Sequence, residues 1–264
     1  MTQSLTYELF NELDVWHTMP TITLDEMRAV KLMNRIDTKY VLSEAELLEL
    51  LGRAQREGYY VQIIDNVRAC RYLTIYYDTP DREMFRLHHN RKLTRQKLRT
   101  RTYLESGVTF FEIKNKNNRG RTKKRRTEIA ASQLGSFSDN ADALRLLGEH
   151  SLYRAEELSP ALSTSFVRIT LVNPSLTERS TIDLSLAYED MRSGKRGAID
   201  SMAIVEIKQD GNIPSRLKLM LRDMRIAPLK ISKYCLGTTL TVDSIKSNRF
   251  KEKIQQINKR LTKQ

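Results

Sequence analysis

The 264-residue sequence predicts an α+β protein built on about eight antiparallel strands with helical additions. Three observations carry this. Short runs alternate charged with apolar residues, the period of a strand whose two faces meet different surroundings. Turn signals such as Ser106-Gly107, Asn117-Asn118-Arg119-Gly120 and Thr79-Pro80 close several of these runs. The charges recur on one face of nearly every strand. A barrel or sandwich of this length need not divide in two, so one domain is expected over 1–264. Its N-terminal helical segment covers about 1–30 and its C-terminal helices about 213–264.

Taken in order, Leu5 to Leu13 and the stretch around Leu24 to Met27 read as short helices before the first clear strand, Arg35 to Leu42. That strand sets Arg35, Asp37 and Lys39 against Ile36, Thr38, Tyr40 and Leu42. Ser43, with Glu46 three residues on, is a capping box that opens a helix running to about Gly58 with Leu47, Leu48, Leu50 and Leu51 on its apolar side. Arg71 to Asp78 is rich in β-branched and aromatic residues and reads as a strand, followed by a helix over about 81–90. A meander of three strands covers Lys97 to Ile129. Its first strand puts Arg99, Arg101, Tyr103 and Glu105 on one face, and its second puts Glu112, Lys114 and Lys116 there. The third sends Lys123 and Arg125 to one side and Lys124 and Arg126 to the other. The polar stretch 132–158 has its strongest helical signal at 141–147. Strands follow at Phe166–Val172, Arg179–Tyr188 and Ala203–Gln209, then helices at Pro214–Met224, from Ser232-Lys233-Tyr234 toward Val242, and a basic amphipathic tail from Arg249 to Lys263.

Like charges directly opposite on neighbouring strands repel. At ~5 Å and an effective dielectric of about 20 the repulsion is roughly 3 kcal/mol per pair before salt screening. Two architectures accommodate the pattern. In a sandwich the apolar faces meet inside and the charges look into water, where screening removes most of the repulsion. In a barrel with a polar interior the apolar faces point outward under helices, and cations from many strands converge on one lumen, held by an anion or by interior carboxylates such as Glu112, Asp183 and Glu206. The strand pattern alone leaves both open.

Composition narrows the partner. A net charge of +13 and a pI near 9.7 call for an anionic one, whether nucleic acid, membrane surface or phosphate-rich small molecule. Cys70 and Cys235 have no CxxC neighbours and no zinc-ligand spacing, so reduced, inert thiols are expected. No apolar run approaches the length of a membrane span. The absence of GxxxxGK[ST] excludes a P-loop ATPase. Aromatics interleaved for base stacking are few; Tyr40, Tyr60, Tyr72 and Tyr103 read as strand core or lumen wall, which argues against a nucleic-acid binder. His88 and His89 read as solvated residues of a surface helix.

The segments RIDTKYVLS, YYDTP, KLRTRTY, FEIKNKNNRGRTKKR, VRITLVN, TIDLSL, VEIKQD and LKISKYCLG, spread from Arg35 to Gly237, together resemble the VTC domain, the polyphosphate polymerase domain of the vacuolar transporter chaperone complex within the CYTH/triphosphate tunnel metalloenzyme superfamily. The resemblance implies a closed antiparallel barrel with a basic lumen that binds triphosphate, and transfer of the γ-phosphoryl of ATP to polyphosphate with a divalent metal, Mn²⁺ or Mg²⁺. Carried over by motif, the catalytic residues are Lys39, Arg99, Arg101, Lys114, Arg125, Arg168 and Arg179. Lys123 shares the face of Arg125, and Lys230, Ser232 and Lys233 match a phosphate contact near the tunnel mouth. Glu206 matches the metal-binding glutamate, with Glu112 as a second carboxylate. The triphosphatases of the superfamily open on an ExExK strand; here Arg35, Asp37 and Lys39 stand there, which suits the polymerase branch. ATP and polyphosphate are the implied partners, with no specific nucleic acid. A cytoplasmic location is expected, and any membrane association would run through a partner chain.

Overall fold

The computed structural model describes residues 7–30, 35–211 and 213–262. In chain order its elements are α1 (Tyr7–Asn11), α2 (Val15–Thr18), β1 (Thr21–Ile22), β2 (Arg35–Ser43), α3 (Glu44–Arg56), β3 (Tyr60–Gln62), β4 (Ala69–Asp78), α4 (Glu83–His89), β5 (Arg95–Tyr103), β6 (Thr109–Lys116) and β7 (Thr122–Ile129). There follow α5 (Ala141–His150), β8 (Ser159–Val172), β9 (Glu178–Asp190), β10 (Arg196–Ala198), β11 (Met202–Asp210), α6 (Arg216–Asp223), α7 (Lys233–Thr241) and α8 (Asn248–Leu261). The ends of two expected helices, Leu5 and Lys263, lie outside the described residues. The capping box forms: Glu46 N donates to Ser43 Oγ at 3.2 Å and Ser43 N donates to Glu46 Oε2 at 2.9 Å. The two helices expected over Pro214–Met224 and from Ser232 toward Val242 form as α6 and α7.

The main sheet runs β2-β11-β9-β8-β4-β5-β6-β7, and every neighbouring pair on that path is antiparallel. It is curled but not closed. β2 and β7 stand at its two ends without pairing, so the expected closed barrel is corrected to an open half-barrel. The curl is visible in side chains from distant strands: the Lys114 ammonium on β6 is within electrostatic reach of Glu206 on β11 and Lys39 on β2. Part of the missing closure comes from an irregular segment after α6. Leu229 N donates 2.8 Å to the Lys39 carbonyl on the β2 edge, and three residues later Ser232 Oγ accepts from Lys97 Nζ of β5 at 2.8 Å.

Alternation decides which face each residue takes. The outer face carries Tyr40, Leu42, Val167, Ile169, Ile182, Leu184, Val205 and Ile207, buried with Leu47, Leu50 and Leu51 of α3 and Leu217 and Leu221 of α6. Further along the sheet, Ile75, Tyr77, Leu98, Phe111 and Ile113 are buried with Phe137 and with Ala143 and Leu147 of α5. Helices therefore cover the apolar outer faces, and the charged faces look into the concavity. One end of the concavity is apolar as well. There α7 packs against Tyr76, Leu162, Leu186, Tyr188 and Ile204, backed by Phe85 of α4 and Phe250 and Ile257 of α8. The approach is close enough to require a glycine: a Cβ on Gly237 would lie 2.4 Å from Tyr188 Cδ1 and 2.6 Å from Leu162 Cδ2.

Asp78 anchors this end. It is fully buried and accepts from the backbone N–H of Thr79, Met84 and Phe85 and from the Tyr234 hydroxyl, tying the last residue of β4 to α4 and α7. The Asp78 carboxylate, together with the Thr79 hydroxyl that accepts from Glu83 N at 2.9 Å, satisfies the free N–H groups of a helix start whose own N-cap residue, Arg82, makes no side-chain cap.

Candidate functional site

Beyond the α7 end the concave face is a field of cations. Lys39 (β2), Lys97, Arg99 and Arg101 (β5), Lys114 (β6), Arg168 (β8), Arg179 (β9), Lys208 (β11) and Lys233 (α7) are all buried or half-buried. Glu112, Asp183 and Glu206 are the carboxylates among them. Arg101 is 5 % exposed, Lys208 8 %, Glu112 1 % and Asp183 2 %, so water does not screen this face. The solvated sandwich face is thereby excluded.

Each carboxylate is shared between cations. Glu112 accepts from Arg99 Nε at 2.6 Å through one oxygen and from Lys124 Nζ at 2.8 Å through the other. Asp183 takes Arg168 in a two-bond fork, 2.6 and 2.8 Å, and also meets Lys233. Glu206 meets Lys39 through one oxygen and Lys208 through the other at 3.1 Å. Burial alone would raise the proton affinity of all three acids, but the cations around them prevail and hold each well below the usual carboxylate range. They are resident counter-charges, ionised at every ordinary pH.

The remaining cations outnumber them. Among the described residues Arg101 reaches only Thr74 Oγ1, at 2.9 Å, and the faces of Tyr72 and Phe166 at 5.5 and 5.4 Å. Burial lowers its proton affinity, and Arg99 and Arg168 lower it further. Lys114 has no carboxylate within ion-pair distance among the described residues; burial and the neighbouring cations bring it down to about 8. Arg179 stands directly opposite Lys208 in the β9–β11 register, also without an ion pair among the described residues. Lys208, despite Glu206, is likewise brought down to about 8 by burial. In an isolated protein such a cluster is strained; an entering polyanion relieves it.

The sequence placed Lys39, Arg99, Arg101, Lys114, Arg168, Arg179, Glu112 and Glu206 on one face and Lys233 near the tunnel mouth, and the structure brings them all to the concave side, Lys233 meeting Asp183. It does not bring Lys123 and Arg125. In the β6–β7 register Glu112 faces Arg126 and Lys114 faces Lys124, so these four share the concave side, while Lys123 and Arg125 fall opposite Asn115 and Ile113 on the outer side. The correction is a slip of one residue: Lys116 pairs with Thr122, so even-numbered residues of β7 join the even-numbered cations of β6. Lys124 takes the ion pair with Glu112, and Arg126 covers the Phe110 ring at 4.1 Å. Lys230 is exposed at the rim, and Ser232 caps α7 while accepting from Lys97.

Lys97, Lys208 and Tyr76 are site-facing residues that the motifs passed over, while Asp183, read from the strand pattern as an interior carboxylate, does face the site. Strand alternation held the signal for each, since Lys97 shares the parity of Arg99, Lys208 that of Glu206, and Tyr76 that of Tyr72. The Tyr76 phenol would be raised by its burial, yet Arg99, Arg101, Lys97 and Lys233 bring it down to about 8. The two histidines are not solvated. His89 is buried with Nε2 2.8 Å from Asn248 Oδ1, and His88 Nδ1 lies 3.1 Å from Cys235 Sγ, its proton affinity far lowered by burial and by Lys97 and Arg95. Both cysteines are free and buried.

Among the described residues no three His, Cys, Asp or Glu side chains converge as a metal cluster. The donor set fits a hard divalent cation only in the mode where substrate phosphates supply most of its ligands. Glu206 suits that mode best, because its partners are two mobile ammonium groups rather than a guanidinium fork.

The sequence profile of the VTC domain matches residues 34–242, which spans β2 to the end of α7 and contains every element of the cationic face. The chain belongs to the VTC domain family. Among curated proteins no relative matches. Among solved structures, this VTC domain is similar to HpAC1 of Hippeastrum, an adenylyl cyclase candidate whose structure is described as revealing a dominant triphosphatase activity, at 14% identity over 78% of this chain and 95% of that one, TM-score 0.50. It also aligns with adenylate cyclase candidates from Vibrio parahaemolyticus (12% identity, 76% and 96% of the two chains, TM-score 0.46) and Bacillus halodurans (14%, 75% and 94%, TM-score 0.48). At these identities what is shared with HpAC1 is the curled sheet. No helix among the described residues of the VTC chain is long and apolar enough to cross a membrane.

Proposed function

We propose that this VTC domain is a polyphosphate polymerase, which passes the γ-phosphoryl group of ATP to the end of a polyphosphate chain held in the concave face. One observation supports it above the others: nine buried or half-buried cations face three carboxylates, an imbalance that a bound polyanion corrects. In the reaction a terminal oxygen of polyphosphate attacks the γ-phosphorus, the bond to the β–γ bridging oxygen breaks, and ADP leaves with the electron pair. The terminal phosphate is already anionic, so no general base is required. Arg99, Arg101, Arg168 and Arg179 offer guanidinium forks to phosphate oxygens, and Lys39, Lys114 and Lys233 act as point charges that hold donor and acceptor in line. Ser232 positions Lys97, and Lys230 stands at the rim. Glu206 would hold a Mn²⁺ or Mg²⁺ ion, which supplies neutralisation of the charge on the transferring group. Glu112, filled by Arg99 and Lys124, sets the position of Arg99 instead.

The hydrolytic alternative draws on the triphosphatase activity described for HpAC1. Against it stands the β2 strand, where Arg35 and Asp37 pair with each other at 2.6 Å and, among the described residues, no cluster of acids is left to hold a water-activating metal. The assay is direct. With ATP and Mn²⁺ the protein is expected to release ADP and form polymer that stains for polyphosphate on a gel, with little orthophosphate. Stoichiometric orthophosphate without polymer would make it a triphosphatase, and no ADP would make it a silent binder.

A further inference from the structure

A second group of cations lies outside the concave field, at its α7 end. Arg95 comes from the start of β5, Lys116 from the end of β6, Lys230 from the segment that closes the gap beside β2, and Lys253 from α8. Arg95 and Lys116 are direct register partners across β5 and β6, and the Lys253 ammonium reaches the Lys230 backbone; Lys116 is lowered by burial and by Arg95 and Lys230, and Lys253 by burial, Arg91 and Lys230 against opposite pulls from Cys235 and Glu252. None of the four has a carboxylate within ion-pair distance among the described residues. Their fixed contacts are to backbone oxygens instead: Arg95 Nη1 to the Lys92 carbonyl at 2.5 Å, and Lys253 Nζ to the Lys230 carbonyl. Arg95, Lys116 and Lys253 are half-buried. Elsewhere on this protein's surface basic residues commonly find an acid, as Arg53 does in Glu49, Lys195 in Asp243 and Arg216 in Glu57. A converging set of four cations, three of them half-buried and none ion-paired among the described residues, is a place prepared for an anion from outside.

We propose that Arg95, Lys116, Lys230 and Lys253 form a separate polyanion subsite, which takes the part of a polyphosphate chain that extends beyond the concave field. The proposal rests on the polymerase reading above. Its path is continuous, since Lys116 follows Lys114 on the same face of β6 and Arg95 precedes Lys97 on the same face of β5. Lys253, on α8, lies beyond residue 242, where the match to the VTC domain ends. Arg95 and Lys116 stand four residues, about 13 Å of strand, beyond Arg99 and Glu112, so a triphosphate seated at Arg99 and Arg101 stops short of them, whereas a chain of tens of phosphates covers both places, and the second contact raises affinity by effective concentration.

The test compares the protein with a triple variant, Arg95→Gln, Lys116→Gln and Lys253→Gln, and with the single variant Lys253→Glu. Binding of tripolyphosphate and of polyphosphate about 50 residues long is measured by titration at several salt concentrations. The triple variant is expected to bind tripolyphosphate as the parent does and to lose roughly tenfold in affinity for the long chain, about 1.4 kcal/mol. Its log–log salt slope for the long chain should fall by about 2, from roughly 0.7 per lost contact on a single-stranded polyanion. Lys253→Glu lies on an outer helix and should show the same selectivity more weakly. Unchanged binding of the long chain overturns the subsite, and so does an equal loss for both ligands, which would make the rim part of the concave field. A parent protein that binds neither ligand overturns the polymerase reading itself.

Discussion

Lys39 of β2 and Glu206 of β11 are direct register partners, and the ammonium of one meets the carboxylate of the other inside the concave face. Lys208, two residues along the same strand face, holds the second oxygen of Glu206 at 3.1 Å. The carboxylate thus joins two lysines that would otherwise repel, and it lies within electrostatic reach of Lys114 across the concavity. A group so placed stabilises the empty site, and in the polymerase reading it has a second purpose, as the acid that would meet a metal when phosphates are present.

Glu206→Gln separates these purposes. Without ligand the substitution should lower the melting temperature, because Lys39 and Lys208 lose the counter-ion they share. With saturating tripolyphosphate the deficit should shrink, since phosphate oxygens replace the carboxylate. Metal-dependent turnover should vanish while ATP affinity stays within roughly tenfold, as the loss falls on transition-state neutralisation more than on ground-state binding. A variant that melts lower but keeps its metal-dependent rate would leave Glu206 as a counter-ion only.

The two arginines of the KLRTRTY motif should part company when removed. Arg99 is paired with Glu112 at 2.5 Å, so Arg99→Ala leaves a buried carboxylate with Lys124 alone and should destabilise the ligand-free protein. Arg101 has no carboxylate partner and sits beside Arg99 and Arg168, so Arg101→Ala should leave the ligand-free melting temperature unchanged or higher. Both should abolish most of the thermal shift caused by triphosphate. Sequence alone gave no ground for the distinction, because it placed both arginines on one face without their partners. Equal melting temperatures in the two variants would contradict it.

Much of this was legible because strand periodicity is strict. Once β5 was read as alternating, Arg99 and Arg101 had to share a face, and the same parity carried Lys39, Lys114, Arg168 and Glu206. What it could not fix was the relation between strands. The hairpin from Asn117 to Arg121 sets whether odd or even residues of β7 join Glu112, and a run of four consecutive cations, Lys123 to Arg126, gives no apolar contrast by which to choose. Closure failed to show for a similar reason: nothing in the pattern of β2 or β7 says whether these ends meet, and here Leu229 occupies the β2 edge at Lys39. His88 and His89 were misread because their burial depends on α7 and α8, which arrive from more than 140 residues away.

The same excess of charge sets a dependence on alkaline pH. Lys114 and Lys208 are brought down to about 8, chiefly by burial, and the Tyr76 phenol, which burial would raise, is brought down to about 8 by the cations near it. In the unfolded chain lysine titrates near 10.4 and tyrosine near 10. Between about pH 8 and pH 10 the unfolded chain therefore holds more protons than the folded one, and stability contributed by these groups rises with pH across that window. Below about pH 8 the lysine charges are intact and count against the empty fold. Anion binding should run the opposite way, because a phosphate chain needs those charges and loses them above pH 8. Melting curves of the ligand-free protein from pH 7 to 10 should accordingly show a rise that is smaller in Lys114→Met, while the shift produced by tripolyphosphate shrinks over the same range. A ligand-free melting temperature that falls steadily through this window, identically in both proteins, would mean that Lys114 is fully hydrated and that the concave face is open to water.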